Sequence, residues 1–148
     1  MTEVLFYHLT RRRLEQALPD LLGRCLERGW RAVVKCGTPE RAEALNGDLW
    51  TFDKAAFLPH GIAADGYVER QPIYLTAGDE RPNQAEVLFL VDGADTAGHG
   101  DYQRVCDIFD GNNDDAVQAA RERWKAAKAA GHALTYWQQG ERGWEKKA

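Results

Sequence analysis

Apolar residues along this chain switch between short continuous runs and a three-four repeat, and the switches predict strands alternating with helices. Val4-Leu5-Phe6-Tyr7-His8-Leu9 is an aromatic-rich run suited to a buried strand. Leu14, Ala17, Leu18, Leu21, Leu22, Cys25 and Leu26 then recur at helical spacing up to Gly29, with Thr10 as a cap and Pro19 as a break or restart. Arg31 to Cys36 reads as a second strand, and Thr38-Pro39-Glu40 opens a helix running to about Trp50. Pro72 to Thr76, Glu86 to Val91 and Arg104 to Phe109 supply further strands, a last helix spans Ala116 to Gly131, and the apolar run Ala133 to Trp137 completes the pattern. Asp53 to Tyr67 and Ala77 to Ala85 carry the glycines and prolines of irregular loops. This order predicts an α/β fold: a single three-layer domain over residues 1–148, with a mostly parallel sheet and helices on both faces. About residues 139–148 read as a charged, mobile tail. The order of strands in the sheet stays open.

Composition narrows the class. The chain has 148 residues, 44% hydrophobic and 28% charged, which is ample for a core without disulfides or metal. No stretch reaches the roughly 20 apolar residues of a bilayer span, and Met1 to Tyr7 has no basic region before an apolar run, so a cytoplasmic location is expected. Cys25, Cys36 and Cys106 are odd in number, far apart and lack a CxxC pair, and are expected as buried small hydrophobes.

A sheet of this kind invites a nucleotide site at the carboxyl ends of its strands, but the first strand runs into Leu9-Thr10-Arg11-Arg12-Arg13 instead of a glycine-rich turn. Those arginines read as a solvated helix start. The segment Asp92 to Asp101, with Asp95 and His99, has carboxylates and a histidine after a strong strand. It suits either an enzyme, a small α/β hydrolase or nucleotide-binding protein, or a turn-rich loop. His60 and His132 have no partners at metal-ligand spacing, and there is no GxSxG elbow. No catalytic motif, cofactor or metal is expected.

Charge distinguishes the last helix. Residues 119–148 hold seven Lys/Arg against three Asp/Glu, a net +4 in a chain of net −4. Helical spacing gathers Arg121, Trp124, Lys125 and Lys128 into one stripe. Such a stripe receives an anion with an aromatic end, and the same spacing also describes a solvated helix end closed by Gly131. The overall negative charge argues against direct DNA binding, since that needs clustered cations beside several stacking aromatics.

Three pieces then occur in order: Phe6-Tyr7 at a strand end, Leu49-Trp50 followed by Phe57-Leu58-Pro59-His60, and Ala120-Arg121-Glu122-Arg123-Trp124-Lys125. At these separations they resemble the chi subunit family of bacterial DNA polymerase III holoenzyme across nearly the full length. The resemblance implies a Rossmann-like fold without a phosphate loop and a non-catalytic accessory subunit of the clamp-loader assembly. It also implies capture of the acidic, phenylalanine-terminated tail of single-stranded DNA-binding protein and, in many members, contact with a psi subunit. Tail binding then falls to Arg121, Trp124, Lys125 and Lys128 with Phe109 as pocket floor, and psi contact to Trp50 and Phe57. The chain departs from the family pattern at Val117, where some relatives have lysine, and in its longer end from Gln138 to Ala148.

Overall fold

The computed structural model describes the chain apart from residues 1, 12, 52–59, 63–67, 95–101, 142 and 148 and the side chains of Trp50, Thr51 and Val68. Strands β1 (Glu3–Leu9), β2 (Ala32–Lys35), β3 (His60–Gly61), β4 (Ile73–Thr76), β5 (Val87–Leu90), β6 (Arg104–Asp110), β7 (Ala133–Gly140) and β8 (Gly143–Lys146) form one sheet. Its order is β3-β4-β2-β5-β6-β1-β7-β8. Every neighbouring pair is parallel except β7 and β8. Helices α1 (Leu14–Glu27) and α2 (Pro39–Thr51) cover one face, and α3 (Asp114–Ala129) covers the other.

The layering follows from the period of two along the strands. On β1, Leu5 and Leu9 join the core under α1 and α2, while Val4 and Phe6 join the core under α3. β2, β4 and β5 are buried throughout or nearly so, as expected of parallel strands covered on both faces. α1 turns Leu14, Ala17, Leu18, Leu21, Leu22 and Cys25 to the sheet. The three cysteines are free and buried, and burial raises the Cys25 thiol to about 11.

α1 and α3 end alike. Gly29 and Gly131 take φ of +76° and +84°, and the residues after them, Trp30 and His132, donate back to the carbonyls of Cys25 and Ala127. These are Schellman ends, and the positive φ is why glycine stands there. At the start of α3, the Asn113 side chain accepts from the N–H of Ala116, and Asp114 and Asp115 sit in the first turn, where carboxylates complement the helix dipole.

Several expectations from sequence are corrected. Pro19 neither breaks nor restarts α1; it lies inside the helix, whose buried apolar face outweighs the roughly 3 kcal/mol that an internal proline costs. Thr10 does not cap α1. Its N–H donates to Gln139 Oε1 at 2.9 Å and its hydroxyl to the Gln139 carbonyl at 3.0 Å, which ties the end of β1 to β7. The last helix starts at Asp114, two residues before the expected Ala116. His60 and Gly61, expected within an irregular loop, form β3 beside β4. The tail expected over about 139–148 is instead the end of β7 and the edge strand β8, fastened by the Trp144 ring, which meets Tyr7 edge-on at 5.0 Å.

α3 is held to the sheet by one buried ion pair. Arg123 donates from Nε and Nη2 to the two carboxylate oxygens of Asp107 on β6, at 2.6 and 3.0 Å, and the side chains are 13% and 4% exposed. Ala120 and Ala127, the other buried positions of α3, are small enough for a close approach. Arg123→Ala takes the paired guanidinium away from the buried Asp107 carboxylate, so we expect a loss of about 3–5 kcal/mol in urea-unfolding stability; a loss under about 1 kcal/mol removes this pair as the anchor.

Candidate functional site

α3 lies with one side against β6, β1 and β7, and a cavity of about 310 Å³ opens along its seam with β7. Apolar and aromatic groups form most of its wall: Phe109 at the end of β6, Val117, Ala120 and Trp124 on α3, and Tyr136 on β7. Arg121 and Lys125, one helical turn apart, contribute the charge. Three of the four helix residues expected to act together therefore line one cavity with the expected Phe109. Lys128 is exposed a turn further along α3 and is not part of the wall.

The aromatic wall is a set of edge contacts. Trp124 meets Phe6 at 5.3 Å and Tyr136 at 5.8 Å, and Phe109 meets Tyr136 at 6.1 Å. Such pairs contribute about 0.5–1.5 kcal/mol each beyond area burial and fix ring orientation. Behind Tyr136, its hydroxyl and His8 Nδ1 lie 2.5 Å apart. A hydrogen bond with the Gly111 backbone also acts on the His8 ring and raises its pKa. A side chain at Gly111 would collide with the His8 ring, so the turn after β6 is glycine for want of space. Burial first, then the Arg121 charge, outweigh the Gly111 bond and hold the His8 pKa below its ordinary 6.5.

The two cations differ. Lys125 reaches Glu122 at 3.6 Å, both largely exposed, a contact of little worth. Arg121 is exposed and makes no hydrogen bond or ion pair among the described residues, so its fork of donors remains available. An anion carrying a ring fits this arrangement: the ring against Trp124 and Tyr136, the charge on Arg121.

Tyr136 and His8 escape a reading of helix spacing because Tyr136 reaches the cavity, and His8 the far side of Tyr136, only through the register of β1 and β7, in which Phe6 pairs with Tyr136. The signal in the sequence is the period of two in Leu134-Thr135-Tyr136-Trp137, which sends neighbouring aromatics to opposite faces. Of the residues assigned to psi contact, Phe57 lies outside the described residues. Trp50 has its backbone in α2, with its side chain outside them.

The crevice at the carboxyl ends of β1 and β6 is larger, about 900 Å³, and lies where α/β sheets often take nucleotides. Three of its charged side chains are paired with one another: Arg41 donates to Glu15 at 2.6 Å and to Asp92 at 2.8 Å. Burial pushes the Glu15 carboxyl up, but the Arg41 hydrogen bond overrides it and leaves it below its ordinary value. Of the segment from Asp92 to Asp101, residues 95–101, with Asp95, His99 and Asp101, lie outside the described residues. Among the described residues no three His, Cys, Asp or Glu side chains are placed to hold a metal ion. No helix of the described residues is long and apolar enough to cross a membrane.

The sequence pattern of the family described as DNA polymerase III chi subunit, HolC, matches residues 1–135. A protein of Rickettsia prowazekii (strain Madrid E) named "Probable DNA polymerase III subunit chi" is 31% identical over 97 residues, 66% of this chain and 59% of that protein. The DNA polymerase III subunit chi of Escherichia coli (strain K12) is 27% identical over 124 residues, 82% of each chain, and that of Pseudomonas aeruginosa 25% identical over 116 residues, 75% of this chain and 79% of that one. The match runs from β1 through α3 to the first residues of β7, and with it the chain belongs to the DNA polymerase III chi subunit family.

Proposed function

We propose that this protein is a non-catalytic accessory subunit of the replicative polymerase's clamp-loader assembly. It links that assembly to single-stranded DNA-binding protein by capturing the latter's acidic, phenylalanine-terminated tail. The observation that carries this reading is the aromatic-walled cavity with the unpaired Arg121 on it. The terminal phenyl ring packs among Trp124, Tyr136 and Phe109, while the terminal carboxylate takes a bidentate contact from Arg121. Lys125 and, farther out, Lys128 attract the acidic residues that precede it.

A short peptide held this way binds weakly, roughly in the micromolar range, and gains through multivalency when several tails are presented together. Because the cations are exposed, salt weakens the contact. With a labelled acidic peptide ending in phenylalanine, anisotropy titrations should show saturable binding that falls as salt rises. Arg121→Ala should weaken it by on the order of 10- to 100-fold, the worth of a charge-assisted hydrogen bond, with an unchanged melting temperature. Binding that survives this substitution at both low and moderate salt assigns the tail to another surface.

The wall behind the cavity carries a pH dependence of its own. His8 has a folded pKa below 6.5, so the unfolded chain takes up its proton first. Its contribution to stability is full above pH 6.5 and is lost as pH falls through the folded value. Thermal melts from pH 7.5 down to 5 should therefore show a decline that is shallower in His8→Asn; parallel profiles for the two proteins would place the titrating group elsewhere.

A further inference from the structure

On the opposite face of the sheet, where β1, β7 and β8 extend past α1, a second cavity of about 350 Å³ has a different chemistry. Arg24, Arg28, Arg104 and Lys146 line it against one acid, Glu3, which Arg104 meets at 3.4 Å. The guanidiniums of Arg28 and Arg104 lie 5.1 and 5.0 Å from the centre of the Trp30 ring, a stack that holds their planes in place. Trp137 and Trp144 form an aromatic wall beside them. Among the described residues the indole N–H of Trp137 is buried and has no hydrogen-bond acceptor. β8, with Trp144 and Lys146, lies beyond the residues matched by the family pattern, as does Trp137.

We propose that this cavity is a binding site for a nucleotide, either free or at the end of a single strand. The excess of cations selects an anion, the tryptophans a flat ring, and the volume one nucleotide unit rather than a chain. Arg24, Arg28 and Lys146 hold the phosphate, and the base lies against the Trp137 and Trp144 wall. The site shares no side chain with the α3 cavity, so it does not depend on the tail-binding reading.

The test uses the full chain and four probes: thymidine monophosphate, thymidine, inorganic phosphate, and a 5′-phosphorylated thymidine hexamer. The readouts are calorimetry and the indole N–H resonances of the five tryptophans. The expected result is saturable binding of the monophosphate that shifts the Trp137 and Trp144 signals. It should be about tenfold or more tighter than thymidine or phosphate alone. Arg24→Ala and Arg28→Ala, both at exposed positions of α1 and its end, should each weaken it, while Arg121→Ala should leave it unchanged. A hexamer that binds more tightly than the monophosphate identifies a strand end as the source, and equal binding identifies the free nucleotide. Absence of binding up to about 1 mM, thymidine or phosphate binding as well as the monophosphate, or insensitivity to both arginine substitutions overturns the proposal.

Discussion

Asp107 and Arg123 form a buried, two-pronged ion pair on which the presentation of α3 depends. With Arg123 turned onto β6 and Ala120 and Ala127 buried, the helix has little freedom to roll. Trp124 is then swung against Phe6 and Tyr136, and Arg121 and Lys125 fall at the margin of the buried stripe, where they reach both the cavity and solvent. A buried pair of this kind adds little net stability over an apolar substitute. Its value is orientation, because a roll of one residue, about 100°, would carry Trp124 away from β7 and Arg121 away from the cavity.

The sheet supplies the second half of the geometry. β1 lies between β6 and β7 in parallel register, with Phe6 level with both Asp107 and Tyr136. A slip of one residue in any of these strands exchanges its two faces. Tyr136 and Trp137 illustrate the consequence: adjacent in sequence, they wall two different cavities on opposite sides of the same strand.

What the sequence disclosed follows the range of the forces involved. β1, β2, β5, β6 and α3 are legible because burial on a layer imposes a local period, and the stripe of Arg121, Trp124 and Lys125 is legible for the same reason. Strand order was not, since it is decided by pairings such as β1 with β6, about a hundred residues apart. About residues 139–148 read as a mobile tail because an edge hairpin with one covered side has few apolar residues; it is fastened by the Trp144 ring on Tyr7 and by the bonds of Thr10 to Gln139. Thr10 has the makings of a helix cap, but the N-cap of α1 falls at Arg13, and Thr10 bonds Gln139 instead. At the site, Phe109 was reachable from its place at a strand end, whereas Tyr136 and His8 join it across the register. The assignment of Trp50 and Phe57 rests on resemblance, with no local chemistry to support it.

Charge explains why the two cavities suit short anions rather than a long polyanion. The chain carries −4 overall, although residues 119–148 carry a positive excess of four. At physiological ionic strength fields are screened over about 8 Å, so a carboxylate or phosphate drawn into either cavity feels chiefly the arginines beside it. A nucleic acid wrapped over the surface would also meet the acidic remainder and gain little from counterion release. The same arrangement therefore favours a peptide end at α3 and no more than one nucleotide unit beneath the β7–β8 hairpin, and it disfavours the extended backbone contact by which DNA-coating proteins bind.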